Sequence, residues 1–174
     1  GTWNDGQIIL HFDGVKSAFF IWINGKKVGY SQGSMTPAEF NITSYLLPGE
    51  NSIAVQVFRW SDAAFIEDQD FWRLSGIYRD VYLMHVPDVH IRHYKAIAEL
   101  TDNYQNGLLS LTTDLSNYSS SPKRILLKAS LFDPAQQEIG VIQSIEQELS
   151  PNTGKKLDFF LIIHINPVLL FFQF

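Results

Sequence analysis

Apolar and polar residues alternate at period two along most of this chain, and no window carries a convincing helical period. From Gln7 to Asp13 and from Ser17 to Asn24, apolar residues occupy both alternating sets, the pattern of strands covered on both faces. Asn24-Gly25 supplies the two positive-φ positions of a tight hairpin turn, and Val28 to Ser31 returns as the partner strand. Gly33 to Ser44 reads as irregular. Pro48-Gly49-Glu50-Asn51 is a second turn, and Ile53, Val55 and Val57 follow it at period two. Tyr78 to Val86 is strand-like again until Pro87-Asp88 breaks it.

Beyond that break, Val89 to Leu100, Gly107 to Leu115, Arg124 to Phe132 and Glu138 to Leu149 are each strand-like and bounded by Asn, Ser, Pro or Gly. Ile139, Val141, Ile145 and Leu149 alternate with polar residues, as in a sheet with one wet face. Strands at turn-separated intervals of roughly ten residues predict an all-β protein of two sandwiches, residues 1–87 and 88–174. Leu157 to Phe174 is nearly all apolar, but His164, Asn166 and Pro167 fall near its middle, where a lipid span would leave polar groups unpaired. A buried strand followed by a truncated or altered tail is expected there.

The 174 residues suffice for a proper core, and 45 % hydrophobic content argues for a folded chain. A net charge of −5 without a basic run removes the main driving force for nucleic-acid binding. With no cysteine, disulfides, thiolate metal sites and a cysteine nucleophile are excluded. The chain opens Gly1-Thr2-Trp3 with no basic or apolar leader, so either a signal was removed or, the favoured reading, this is a piece of something longer.

Candidate chemistry gathers between Arg59 and Val81, where Glu67, Asp68 and Asp70 lie among Trp60, Phe65, Phe71 and Trp72. Carboxylates accept hydrogen bonds from hydroxyls or coordinate a hard cation, and aromatic faces cover apolar CH surfaces, a combination suited to a sugar. The bland alternative is a wet acidic loop whose aromatic residues turn into a core. Asp68 and Asp70, i and i+2 on an extended strand, would lie about 6.6 Å apart. Neighbours on one strand face approach a sugar from one side, whereas glycosidase carboxylates flank the scissile bond, so binding fits them better than catalysis. Arg73 or Arg79 is expected to pair with this acidic group. Of the tryptophans, Trp22 and Trp60 read as core anchors and Trp72 as a site candidate. His11, His85, His90, His93 and His164 read as ordinary residues, with His90 and His93 on opposite faces of a strand. The triplets at Asn41 and Asn117 match a glycosylation pattern common by chance.

Taken together, FDGV, the WINGKKVGYSQ hairpin, the PGEN turn and EDQDFWRLSGIYRDV, in order and in register from about Gly6 to Leu100, resemble the amino-terminal part of bacterial β-galactosidases of glycoside hydrolase family 2, the LacZ type. The resemblance implies an incomplete jelly-roll sugar-binding domain over 1–87, its first strands and a galactose-contacting asparagine missing. An incomplete immunoglobulin-like sandwich over 88–174 follows, and the catalytic (β/α)8 barrel is absent. It implies that Asp70, the last aspartate of EDQD, contacts galactose hydroxyls and a sodium ion; Trp72, adjacent to it in the sequence, is the second substrate-site candidate on that ground alone. No catalytic residue carries over, so the chain is expected to be inactive alone. Sodium, with magnesium as the alternative cation, belongs to the parent enzyme, and no cofactor is expected to bind tightly here. Expected partners are galactosides, held weakly, the missing barrel and, in the parent, further copies in a homo-oligomer. Nucleic acid and membrane are not expected. The cytoplasm is the expected compartment, with the periplasm as the alternative.

Two departures from the family stand out. Asp62-Ala63-Ala64-Phe65 replaces a common Asp-Gly-Ser-Tyr, and Asn166-Pro167 leads into Val-Leu-Leu-Phe-Phe where the family has Lys-Leu-Trp and an acidic stretch, as if the coding sequence were truncated or shifted in frame. Three readings remain: a non-catalytic fragment of a β-galactosidase contributing Asp70 to a galactose and sodium site, a stand-alone carbohydrate-binding sandwich, and a structural domain for barrel support and oligomer contacts.

Overall fold

In the computed structural model, the described residues are 3, 5–68 and 72–164, with side chains described for all of these except 140–144, 159 and 161–164. The chain divides into two compact units, Gly1–Pro87 and Asp88–Phe174. Both are built almost wholly of antiparallel strands, and no helix among the described residues is long and apolar enough to cross a membrane.

The first unit runs through β1 (Gln7–Phe12), β2 (Val15–Lys16), β3 (Ala18–Ile23), β4 (Lys26–Gln32), β5 (Ala38–Asn41), a 3-10 turn (Thr43–Tyr45), β6 (Ile53–Phe58), the short helix α1 (Asp62–Ile66), β7 (Gly76–Ile77) and β8 (Val81–Val86). Two three-stranded sheets, ordered β5-β1-β8 and β4-β3-β6, enclose one core, and β2 pairs with β7. Ile8, Leu10 and Phe12 of β1 meet Phe19, Ile21 and Ile23 of β3, with Val15 and Ile42 closing the cluster. Each such side chain contributes roughly 1.5–3 kcal/mol relative to exposure. The central place of β1 accounts for the apolar residues on both of its alternating sets, because both of its faces are covered. Asn24 and Gly25 take φ of 50° and 76°, the positive values that a two-residue hairpin between β3 and β4 requires.

Two elements depart from the sequence-based expectation. Ala38–Asn41, expected to be irregular, is a strand, because β1 offers it a partner in which Leu10 pairs with Phe40 and His11 with Glu39. α1 appears where no helix was expected, since five residues are too short to display a 3.6-residue period. Ala63 and Ala64, strong helix formers, lie at its centre.

The second unit comprises β9 (Val89–Thr101), β10 (Asn106–Asn117), β11 (Lys123–Phe132), β12 (Glu138–Leu149) and β13 (Thr153–His164). Its sheets are ordered β13-β10-β9 and β11-β12. Thr113, Leu115, Asn117 and Leu149 are buried. Asn117 holds the sheets' ends together: Nδ2 donates to the carbonyls of Ser121, Leu149 and Ser150, all at 3.1 Å, and Oδ1 accepts from the Ser119 amide at 3.0 Å.

Several expectations are corrected here. The expected one-wet-face alternation holds at the end of β12, where Leu149 is buried and Glu146 and Glu148 are exposed, but Ile139, at the second of two register shifts in the β11–β12 ladder, is 50 % exposed. A shift beside Asp114 pairs His93 with Asp114 and His90 with Ser116, so the two histidines share a face instead of opposing one another. The Leu157–Phe174 stretch begins as strand β13, but Phe160 is 64 % exposed instead of buried, and residues 165–174, where the altered tail was expected, lie outside the described residues.

Candidate functional site

Strand β6 delivers the chain to Arg59, and the segment between β6 and β7 is closed at its base by the β2–β7 pair, Val15 with Ile77 and Lys16 with Gly76. At its start Ser61 Oγ donates to Ser17 Oγ at 2.8 Å, and Ser17 Oγ donates to the Phe58 carbonyl at 3.1 Å. α1 then places Ala63 inward and leaves Phe65 and Ile66 on the surface. Its last N–H bond, from Glu67 to the Ala63 carbonyl, turns the Glu67 carboxylate towards the loop between β4 and β5. There both carboxylate oxygens accept from the Ser34 amide, and the Tyr78 hydroxyl donates to the Ser34 carbonyl. The buried Ser34 is thus gripped from both ends of the acidic loop.

The acidic motif therefore divides by role. Glu67 is a structural clamp. Asp68 pairs with Arg73, Oδ2 to Nη2 at 2.8 Å, in an exposed ion pair that contributes about 0–1 kcal/mol. This meets the expectation that Arg73 or Arg79 would pair with the acidic group. Asp70, the leading site candidate, lies outside the described residues, as do Gln69 and Phe71. Trp72 is described and is 85 % exposed. Trp60, expected as a core anchor, is instead 59 % exposed and stacks on Phe65 at 6.3 Å, with the Arg59 guanidinium over its ring. Trp22 is half-buried on β3.

A cleft bordered by Lys16, Arg59, Trp60, Asp68 and Arg73 encloses about 20 Å³, room for a water molecule and far too little for a pyranose. In the same segment of the chain Trp60, Phe65, Ile66, Trp72 and Leu74 are 59–85 % exposed. Among the described residues no group of three His, Asp or Glu side chains could hold a metal ion. Asp70, the cation ligand that the family resemblance implies, lies outside these described residues.

A second polar cluster escaped sequence reasoning. The ring nitrogens of His11 lie 2.8 Å from Asp13 Oδ1 and 2.8 Å from Glu39 Oε1, and the ring stacks on Tyr82 at 4.6 Å. Only the i, i+2 spacing of His11 and Asp13 was visible in the sequence, because Glu39 and Tyr82 arrive through the pairing of β5 and β8 with β1.

Comparison with known proteins places this geometry. The profile described as glycosyl hydrolases family 2, sugar binding domain, matches residues 1–87. The chain is 51 % identical over 138 residues to a β-galactosidase of Priestia megaterium, covering 79 % of this chain and 13 % of the relative. It is 46 % identical over 127 residues to a β-galactosidase of Pectobacterium atrosepticum, covering 73 % of this chain and 12 % of that protein. The chain thus spans about one eighth of the length of these relatives. Among solved structures, a β-glucuronidase of Bacteroides uniformis superposes with a TM-score of 0.84 at 26 % identity, over 93 % of this chain and 20 % of that one. A putative β-galactosidase of Bacteroides fragilis, at 20 % identity and a TM-score of 0.83, covers 95 % of this chain and 26 % of that one and shares its fold. The chain belongs to glycosyl hydrolase family 2, and residues 1–87 are the sugar-binding domain of that family.

Proposed function

We propose that this chain is the non-catalytic amino-terminal part of a β-galactosidase that hydrolyses terminal β-galactosides with retention. In this reading Asp70 binds galactose hydroxyls beside Trp72 and gives one carboxylate ligand to a sodium ion. The site is completed by a barrel that the chain does not contain. The observation that carries the reading is the 51 % identity to a β-galactosidase over 138 residues, a span that includes most of both units. Charge-assisted hydrogen bonds from one carboxylate contribute about 1.5–3 kcal/mol. Without the remaining walls, the expected galactose affinity is millimolar or weaker, about −4 kcal/mol.

The exposed group of Trp60, Phe65, Ile66, Trp72 and Leu74 favours a second, compatible role. The loop that carries Asp70 docks against the rest of a longer polypeptide, which covers these side chains. Galactosides and homo-oligomer contacts are the partners of that longer protein, and the cytoplasm is its compartment.

The test is a thermal unfolding curve of the purified chain in sodium buffer, with galactose at high concentration and glucose as control. Ligand at about 100 Kd stabilises a binding-competent fold by roughly 2.7 kcal/mol. A midpoint raised by galactose alone, and not in Asp70→Ala, supports the Asp70 site. Galactoside hydrolysis by the chain free of host enzyme overturns the non-catalytic reading.

A further inference from the structure

The outward face of the β4-β3-β6 sheet carries a pattern that the Asp70 reading does not use. Its middle row runs Tyr30–Phe20–Gln56 across the three strands. Gln32 and Phe58 flank Ala18 in the row on one side, and Lys27 and Ala54 flank Trp22 on the other. The opposite face of β3, Phe19, Ile21 and Ile23, is wholly taken up by the core, so this second aromatic set is not needed to close the sandwich.

The rings support one another: Phe20 lies 4.8 Å from Tyr30, 5.9 Å from Trp22 and 5.8 Å from Phe58. Tyr30 remains 46 % exposed, and its hydroxyl donates to Gln32 Oε1 at 2.6 Å, which orders an amide beside the aromatic platform. Gln56 is exposed at the far end of the same row. No carboxylate occupies any of the nine positions, although the chain as a whole is acidic, and the one cation, Lys27, rests over the Phe20 ring at 3.8 Å.

We infer that this face is a binding surface for a neutral β-linked oligosaccharide. Flat rings cover the CH faces of pyranoses, while amides and a phenol, which both donate and accept, match hydroxyls at the rim. A cationic ligand finds no carboxylate there, and the single cation, Lys27, rests over the Phe20 ring. Size argues against a protein occupant, because the grid measures roughly 10 by 13 Å between its outermost backbone positions. Even with side-chain margins that is a few hundred Å², below the ~800 Å² that each partner of a stable protein interface buries. Two or three sugar rings fit the same span. The inference does not depend on Asp70.

The experiment is native electrophoresis of the 174-residue chain through gels containing soluble β-1,4-galactan, galactomannan or xyloglucan, followed by cellotetraose and lactose titrations read by tryptophan fluorescence. Tyr30→Ala and Gln56→Ala alter exposed positions, and circular dichroism melts confirm that they fold. Retardation by at least one of these glycans is expected, equal in wild type and Asp70→Ala, and weakened at least tenfold in both Tyr30→Ala and Gln56→Ala. Three results overturn the inference: no retardation of wild type by any of the glycans, retardation unchanged in the Tyr30 and Gln56 variants, or loss in Asp70→Ala alone. Self-association abolished by Tyr30→Ala without glycan retardation also overturns it and assigns the face to a second copy.

Discussion

Both carboxylate oxygens of Glu67 stand 3.1 Å from the amide nitrogen of Ser34, a backbone group 33 residues earlier in the chain. This bond ties the acidic loop to the β4–β5 connection, and its loss leaves a buried N–H without its acceptor. Glu67→Ala is expected to cost about 1.5–3 kcal/mol, and Glu67→Gln less, since an amide oxygen still accepts. By contrast Ser34 Oγ is buried with no hydrogen-bond partner, so Ser34→Ala is expected to be neutral or stabilising by up to about 1 kcal/mol. Denaturant melts of the three variants, followed by tryptophan fluorescence, check both signs. Equal losses in Glu67→Ala and Ser34→Ala would contradict the assignment.

Asn117 is 1 % exposed, and its amide serves three carbonyls while its oxygen serves the amide and hydroxyl of Ser119. Asn117→Ala is expected to destabilise the second unit by about 2–4 kcal/mol. Asn117→Asp keeps the shape but turns an acceptor towards carbonyl oxygens, so it is expected to be at least as damaging. Chemical denaturation of both variants gives the ranking, and a harmless Asn117→Asp would show that the donor bonds contribute little. The side chain is also committed to these bonds, which makes the triplet at Asn117 a structural turn and a poor glycan acceptor.

Among the described residues, the Tyr82 phenol is shifted in acidity. Desolvation raises its phenol above the ordinary 10.0, and the carboxylates of Asp13, Glu39 and Asp80 add to the effect. A proton held more tightly in the folded state gives stability that is complete below pH 10.0 and is lost as pH rises through the folded value. Wild type is therefore expected to lose stability relative to Tyr82→Phe above pH 10.0, with no such divergence below it. Phenolate absorbance across an alkaline titration, run beside melts of the two proteins, tests the direction. A Tyr82→Phe variant that tracks wild type through the whole range would refute it.

A methyl group on Gly29 would come within 2.6 and 2.8 Å of the Phe40 ring, which packs edge-on against Phe12 and Phe19 in the core. Overpacking of this kind costs about 1–3 kcal/mol, and Gly29→Ala is expected to fall in that range. A paired Phe40→Leu substitution should recover part of the loss if the ring is the obstacle. A double-mutant cycle by calorimetry reads the coupling directly.

Local rules were enough to read much of this protein from its residues. Strand period, the positive-φ pair at Asn24-Gly25 and the breaks at Pro48-Gly49 and Pro87-Asp88 depend on backbone sterics within a few positions, and each emerged as expected. Family membership was legible for the same reason, because the motifs from FDGV to GIYRDV are contiguous text. What the tertiary structure decided is who meets whom. The strand at Ala38–Asn41 exists because β1 lies beside it, and Glu39 reaches His11 through that pairing. Glu67 serves as a clamp because Ser34 is brought to it from 33 residues away. His90 and His93 share a face because one register shift beside Asp114 reverses the parity of the strand. Trp22, Trp60 and Trp72 look alike in the sequence, yet one is half-buried in a sheet and two stand in solvent. Sequence period specifies which face a side chain takes, but sheet order and register specify what stands opposite, and those depend on contacts far apart in the chain.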